Sequence, residues 1–261
     1  MPDAYDPLSA RLIENSGFKA VQCSGYSFSI VAAIKKEIDI SREDNVHITG
    51  KIVDAVDLPV MADAEDGFGG PKVVLETVKM FIDVGAAGLN IEDQNLDDDK
   101  AIRIINEELM VEKIYAAREA AEAAETSDFI INGRTDALGS SENREDSLNI
   151  AVERANIYLN SGADMAFIPY VKTHEEVETL NKEVKGPISI AAGMQYNINN
   201  FSIGDLENIG VARVSLPTLL IYSSMKSINK SLNRLKNDDI MGMDEDMLYK
   251  VDELNELLRR Y

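Results

Sequence analysis

Three acids crowd the end of one apolar run. In PVMADAEDGFGG, residues 59–70, Asp63, Glu65 and Asp66 close the run and Gly67, Gly69 and Gly70 follow. In a strand, Asp63 and Glu65 lie two apart and share a face. Two carboxylates facing together repel, and a hard divalent cation offsets this by taking oxygen ligands from both. The next apolar run ends in Glu92 and Asp93 of GLNIEDQ. Glu92 follows Asp63 by 29 residues, about one strand-helix repeat, so neighbouring strands would bring both to one rim and supply a third oxygen donor. The competing reading is that each acid caps the helix after it, which fits any one of them better than all three. The glycine-rich turn before Pro71 is also what starting a helix requires, and it does not match a Walker-type phosphate loop.

Two other run ends carry polar groups. FIINGRTDAL, residues 129–138, closes with Arg134 and Asp136. The planar guanidinium of Arg134 suits a substrate carboxylate, and equally an ion pair with an acid such as Asp136. VQCSGYS closes with Ser24 and Gly25, whose backbone N–H groups and hydroxyl could cradle a carboxylate or a developing oxyanion, or simply turn the chain into a helix. Cys23, just before them, reads as a small buried residue. His47 and His174 fall in polar helical stretches and read as surface positions.

These groups need a scaffold that aligns strand ends. Apolar runs rich in Val, Ile and Ala occur at 20–24, 59–63, 88–92, 129–134, 165–169, 187–191 and 212–215, and uninterrupted apolar runs suit strands buried on both faces. Amphipathic segments lie between them, at 73–84, 109–124, 147–160 and 174–183, and strings such as DVGAAG and NSGAD stop helices at glycine. Alternating strands and helices predict a parallel sheet with right-handed crossovers. The polar residues at strand ends favour closure into an α/β, (β/α)₈ TIM-type barrel. That barrel needs an eighth strand, and the only place for it is MPDAYD, before the helical stretch 8–16. The first strand is therefore expected to be very short or truncated. Residues 244–261 predict a C-terminal helix whose Met247, Leu248, Val251, Leu254, Leu257 and Leu258 recur at helical intervals and must bury their face somewhere.

Composition narrows the partners. With 261 residues, 45% of them hydrophobic, one core of barrel size fits the whole chain, 1–261, as a single domain. A formal charge of -20, from 46 acidic against 26 basic residues, argues against nucleic acid and anionic membrane surfaces. One cysteine excludes an internal disulfide framework. The lack of a signal-like N-terminus or a spanning apolar run points to the cytoplasm.

The strings SGFKAVQCSG, DLPVMADAEDGFGG, GAAGLNIEDQ, INGRTDAL, SGADMAFIP and GVARVSL, in this order over roughly residues 2–225, resemble the isocitrate lyase and phosphoenolpyruvate mutase superfamily, particularly its short bacterial members. The resemblance implies that Asp63 and the acid two residues later bind Mg²⁺, with Mn²⁺ as the alternate ion. It implies that Glu92 contributes directly or through water and that the metal chelates a 2-oxo carboxylate. Ser24 and Gly25 would form the cradle and Arg134 would face the substrate, making Ser24 and Arg134 the candidate catalytic residues. It also implies a homo-oligomer, dimer or tetramer, that packs or exchanges C-terminal helices. Two departures stand out. Glu65 occupies a position where the family typically has Asp, and QNLDDDKAIRII replaces the loop in which the lyases carry a Lys-Cys-Gly-His pattern with an acidic cysteine. The favoured activity is a lyase or decarboxylase that cleaves a carbon-carbon bond of a small 2-oxo or 2-hydroxy carboxylate through a metal-stabilised enolate. The alternatives are a carbon-phosphorus bond enzyme, of phosphonomutase or phosphonopyruvate hydrolase type, and a non-catalytic 2-oxo acid binding protein.

Overall fold

The computed structural model describes residues 1–95, 102–126, 128–240 and 248–259. Seven parallel strands form one sheet in sequence order: β1 (Val21–Gln22), β2 (Val60–Asp63), β3 (Gly88–Glu92), β4 (Ile130–Arg134), β5 (Met165–Ile168), β6 (Ile188–Ala191) and β7 (Arg213–Ser215). Every one lies inside an apolar run named above. The segment ahead of α1 pairs only through isolated bridges, which agrees with the expectation of a very short first strand. Pro2 bridges Leu216 and Asp3 bridges Gln22, both in parallel sense, and the Ala4 N–H donates to the Gln22 carbonyl at 2.8 Å. These pairings span the gap between β7 and β1 and bring the sheet close to a full ring.

Helices cover the outside: α1 (Pro7–Asn15), α2 (Gly25–Val31), α3 (Arg42–Val53), α4 (Pro71–Asp83), α5 (Glu107–Ala123), α6 (Arg144–Asn160), α7 (His174–Glu183), α8 (Ile203–Ile209), α9 (Leu219–Lys236) and α10 (Val251–Leu258). Local chemistry sets their ends. Asp6 and Thr173 form capping boxes at the starts of α1 and α7, each satisfying N–H groups that the first turn leaves free. At the other end, Gly85 and Gly162 take φ of 83° and 106°, a left-handed turn that glycine makes without Cβ strain and that aims the chain at the next strand.

The core lies between sheet and helices. Val74, Val78 and Phe81 of α4 and Met110 and Ile114 of α5 pack on Leu89, Ile91 and Ile131. Ala151, Val177, Leu180 and Leu206 pack on Ala166, Ile168, Ile188 and Ile190. The C-terminal helix is narrower than 244–261: α10 begins at Val251, and Met247 and residues 244–246, 260 and 261 lie outside the described residues. It docks on α1, where Arg11 Nη2 donates to the Leu257 carbonyl at 2.9 Å and to that of Arg259 at 2.8 Å. Only Leu257 of its apolar face is buried. Leu254, Leu258 and Val251 stay exposed, as do Met225, Ile228, Leu232 and Leu235 of α9. Among the described residues no helix is long and apolar enough to cross a membrane.

Candidate active site

The C-terminal ends of the strands surround a cavity of about 790 Å³ lined by Ser24, Glu37, Asp63, Asn90, Arg134 and Phe167 among others. Strand register explains much of what faces it. Asp63 stands opposite Asn90, and Glu92 stands opposite Arg134. Adjacent parallel strands thus hold Glu92 and Arg134 at one level, and Arg134 Nη1 lies 2.5 Å from Glu92 Oε2. The same guanidinium reaches Asp136 Oδ1 at 2.9 Å. It also sits over the Phe167 ring, 5.6 Å from its centroid, with Arg213 5.4 Å from that centroid, a pairing of cations with a π face.

The acids of β2 meet a partner that sequence reasoning missed. Carboxylate oxygens of Glu37, Asp63 and Glu65 all come within 4.8 Å of one another. Asp63 and Glu65 are 5% and 4% exposed, and among the described residues the Glu65 oxygens meet no donor other than the Glu37 carboxyl when that group carries its proton. Glu37 opens a 3-10 turn, Glu37–Asp39, in the connection between α2 and α3. No apolar run ends there, and the string KKEID offers two acids, Glu37 and Asp39, with nothing local to single out Glu37. Glu65 itself adopts a left-handed backbone, φ 51°, an uncommon conformation for a side chain of its size and one that functional sites often store.

The space for Glu65 is made by Gly25. A Cβ built there would overlap Glu65 Oε1, so the carboxylate rests directly over the glycine. The backbone around Asp63 is tied down as well. Asn45 Nδ2 donates to the Asp63 carbonyl at 3.1 Å, the Glu65 N–H is 3.4 Å from Asp63 Oδ1, and the Gly25 backbone amide pulls the Asp63 carboxyl down. The buried Lys113 of α5 donates to the carbonyl of Asp66 at 2.5 Å, fixing the chain just beyond Glu65. Ser24 precedes α2 without a side-chain capping bond and lines the cavity.

Burial dominates the electrostatics. It raises the carboxyl of Glu65 well above the usual range, and Asp63, Glu37 and Glu92 push the same way. Burial also raises Asp63 and Glu92, and in both Arg134 pulls in the opposite direction. Glu37 is raised to about 7 by burial and then by Asp63. Such a group takes up protons or a cation, because unpaired buried carboxylates are costly. Three converging carboxylate oxygens, one from each residue, with Glu65 the least satisfied of the three carboxylates, fit a hard divalent ion.

The remaining groups do not join the cluster. Cys23 is 1% exposed and burial pushes its thiol up. His47 is exposed on α3, and the His174 side chain is 46% exposed. Asp93 is buried behind the rim, where it accepts from the Tyr158 hydroxyl at 2.6 Å and from Arg154 at 2.9 Å. Of the string QNLDDDKAIRII, residues 96–101 lie outside the described residues, while Gln94 bridges Ile104 in antiparallel sense.

Comparison with known proteins agrees with this geometry. Residues 1–236 match the family model described as phosphoenolpyruvate phosphomutase. The chain is 32% identical over 265 residues to "Probable 2-methylisocitrate lyase 2" of Corynebacterium glutamicum, covering 99% of this chain and 83% of that protein. It is 30% identical to 2,3-dimethylmalate lyase of Eubacterium barkeri, covering 98% and 88%. The crystal structure of a phosphonopyruvate hydrolase complex with oxalate and Mg²⁺ superposes with a TM-score of 0.85 at 25% identity, covering 98% of this chain and 88% of that one. A nearly closed parallel barrel with a carboxylate cluster at its C-terminal rim, together with these matches, places the chain in the isocitrate lyase and phosphoenolpyruvate mutase superfamily.

Proposed function

We propose that the protein is a Mg²⁺-dependent lyase or decarboxylase that breaks a carbon-carbon bond of a small 2-oxo or 2-hydroxy carboxylate. The observation that carries this reading is the convergence of half-buried Glu37 with buried Asp63 and Glu65, of which Glu37 and Asp63 line a cavity that also holds Arg134. Relatives named as 2-methylisocitrate and 2,3-dimethylmalate lyases support the reaction class. In this reading Asp63, Glu65 and Glu37 hold the ion, with Mn²⁺ able to replace Mg²⁺. Glu92, one of whose oxygens is paired with Arg134, would add negative charge beside that site. A bound Mg²⁺ supplies Lewis acidity toward a 2-oxo group and offsets the charge of the enolate released by bond cleavage.

The chain's own groups do the rest. Arg134, held level by Glu92 and Asp136, presents its remaining N–H groups to the substrate carboxylate. Ser24 and the adjoining backbone of Gly25 bind the opposite end. The apolar walls, Phe167 included, exclude water and strengthen these contacts. The enzyme works in the cytoplasm, with Cys23 as a thiol, and assembles as a homo-oligomer through the exposed apolar faces of α9 and α10. Light scattering should then give a dimer or tetramer mass, which Ile228→Asp should reduce; a monomeric wild-type protein refutes the assembly.

The test of activity is Mg²⁺-dependent release of a 2-oxo acid from 2-methylisocitrate, 2,3-dimethylmalate, oxaloacetate and phosphonopyruvate, with an EDTA control. Turnover of one of the carbon-carbon substrates supports the reading. Phosphonopyruvate alone turning over moves the assignment to carbon-phosphorus chemistry. A second reading, a 2-oxo acid binding protein, is favoured by the absence of any cysteine or histidine from residues 94–105. Tight binding with no product across the panel would select it.

A further inference from the structure

Two separate cavities end at the carboxylate trio. The substrate mouth reaches Glu37 and Asp63. A second cavity, of about 580 Å³, opens on the flank of the barrel between the turn Glu37–Asp39, the start of α3 and the start of α4, and it reaches Glu37 and Glu65. Glu65 lines this second cavity and not the first. Its carboxylate, 4% exposed and, among the described residues, facing no donor but the Glu37 carboxyl, is the group a visiting ion would meet at the cavity's inner end.

The charge on the two walls differs. The flank cavity carries Glu37, Glu43, Glu65, Asp66 and Glu76 against a single cation, Arg42. Arg42 is itself committed to Glu43 at 3.1 Å and Glu76 at 3.4 Å, so it ties α3 to α4. The mouth carries Arg134 and Lys226 beside its acids and is otherwise largely apolar and aromatic. A funnel of one sign with low-dielectric walls concentrates ions of the other sign. The flank therefore attracts cations and repels the carboxylate ligands that the mouth is built to take.

We propose that the flank cavity is the cation's own route to the cluster, so that a divalent ion enters and leaves past Glu65 while an anionic ligand still fills the mouth. This rests on the trio being the metal site. It does not depend on which bond, if any, the protein breaks.

The consequence is kinetic, because a passage changes how fast an ion arrives and leaves by the same factor and leaves affinity alone. The protein is loaded with Mn²⁺ and oxalate and mixed rapidly with excess EDTA. Mn²⁺ release is followed by its EPR signal, and release of labelled oxalate is measured separately by dilution. The expected result is that Mn²⁺ leaves at least tenfold faster than oxalate. Ile38→Trp, which adds bulk without charge at the flank wall, should slow Mn²⁺ entry and release together by tenfold or more, with Kd for Mn²⁺ within twofold of wild type. Val73→Phe, on the facing wall, should do the same and serves if the first variant does not fold. Arg42→Ala should speed both rates. Mn²⁺ departing only as fast as oxalate, unaltered by either plug, overturns the flank route while leaving the metal site standing. No Mn²⁺ binding by the wild-type protein overturns both the route and the metal reading beneath it.

Discussion

Placing a methyl group at position 25 tests the site at its tightest point. Gly25 is the first residue of α2, and its φ is not in the left-handed region, so an alanine backbone fits and helix propensity would favour it by about 1 kcal/mol. The obstacle is the Glu65 side chain. The new Cβ would overlap Oε1, lie 2.8 Å from Cδ and come 3.3 Å from Asn45 Nδ2. Forcing atoms into a packed site costs roughly 1–3 kcal/mol, which the propensity gain partly offsets, so thermal stability should change little. Metal affinity should not escape, because the carboxylate must swing off the position that converges with Glu37 and Asp63. Losing one of three ligands should weaken Mn²⁺ binding about 10- to 100-fold, equal to roughly 1.4–2.8 kcal/mol. The control is Glu65→Asp, which draws the carboxylate back by one methylene. Alone it should also weaken binding, but Gly25→Ala/Glu65→Asp should bind no worse than the weaker single variant. That is a departure from additivity of about 1 kcal/mol or more, as expected of residues in contact. Calorimetric titration of Mn²⁺ into the four proteins reads the cycle. Gly25→Ala binding Mn²⁺ within twofold of wild type, with the fold intact, refutes the claim that Glu65 needs this space.

Two further perturbations follow from buried charges. Arg134→Ala strands Glu92 and Asp136, both buried, and breaking such pairs from one side costs about 3–5 kcal/mol. Urea titration should show that loss at pH 8 and a smaller one at pH 5, where the two carboxyls can take up protons. Oxalate binding should fall more than Mn²⁺ binding, and equal losses would make the arginine structural. Asp3 is 1% exposed, and burial raises its carboxyl to about 7, partly countered by the Ser27 hydroxyl. The folded chain therefore holds this proton more tightly than the unfolded one. The contribution is complete below the unfolded value of about 3.8 and fades as pH rises toward 7, by up to roughly 4 kcal/mol. Asp3→Asn should flatten the pH dependence of stability between 4 and 7, and an unchanged slope removes Asp3 as its source.

Sequence by itself determined the staves of this barrel. An apolar run buried on both faces and a glycine that stops a helix are local patterns, so the seven strands, the short pairing segment ahead of α1, and the placing of Asp63, Glu92 and Arg134 at strand ends could all be read from neighbours in the chain, whereas Glu65 lies past the end of β2 in a left-handed turn and not, as strand alternation predicted, on the same strand face as Asp63. The tertiary structure decided which of these groups meet. Register set Glu92 against Arg134. A turn outside any periodic element brought Glu37 to Asp63 and Glu65, and the missing side chain of Gly25 made room for the Glu65 carboxylate. Periodicity reports which face a residue occupies along its own element. Where one loop folds over another's strand end depends on the packing of the whole ring, and no spacing within KKEID encodes it.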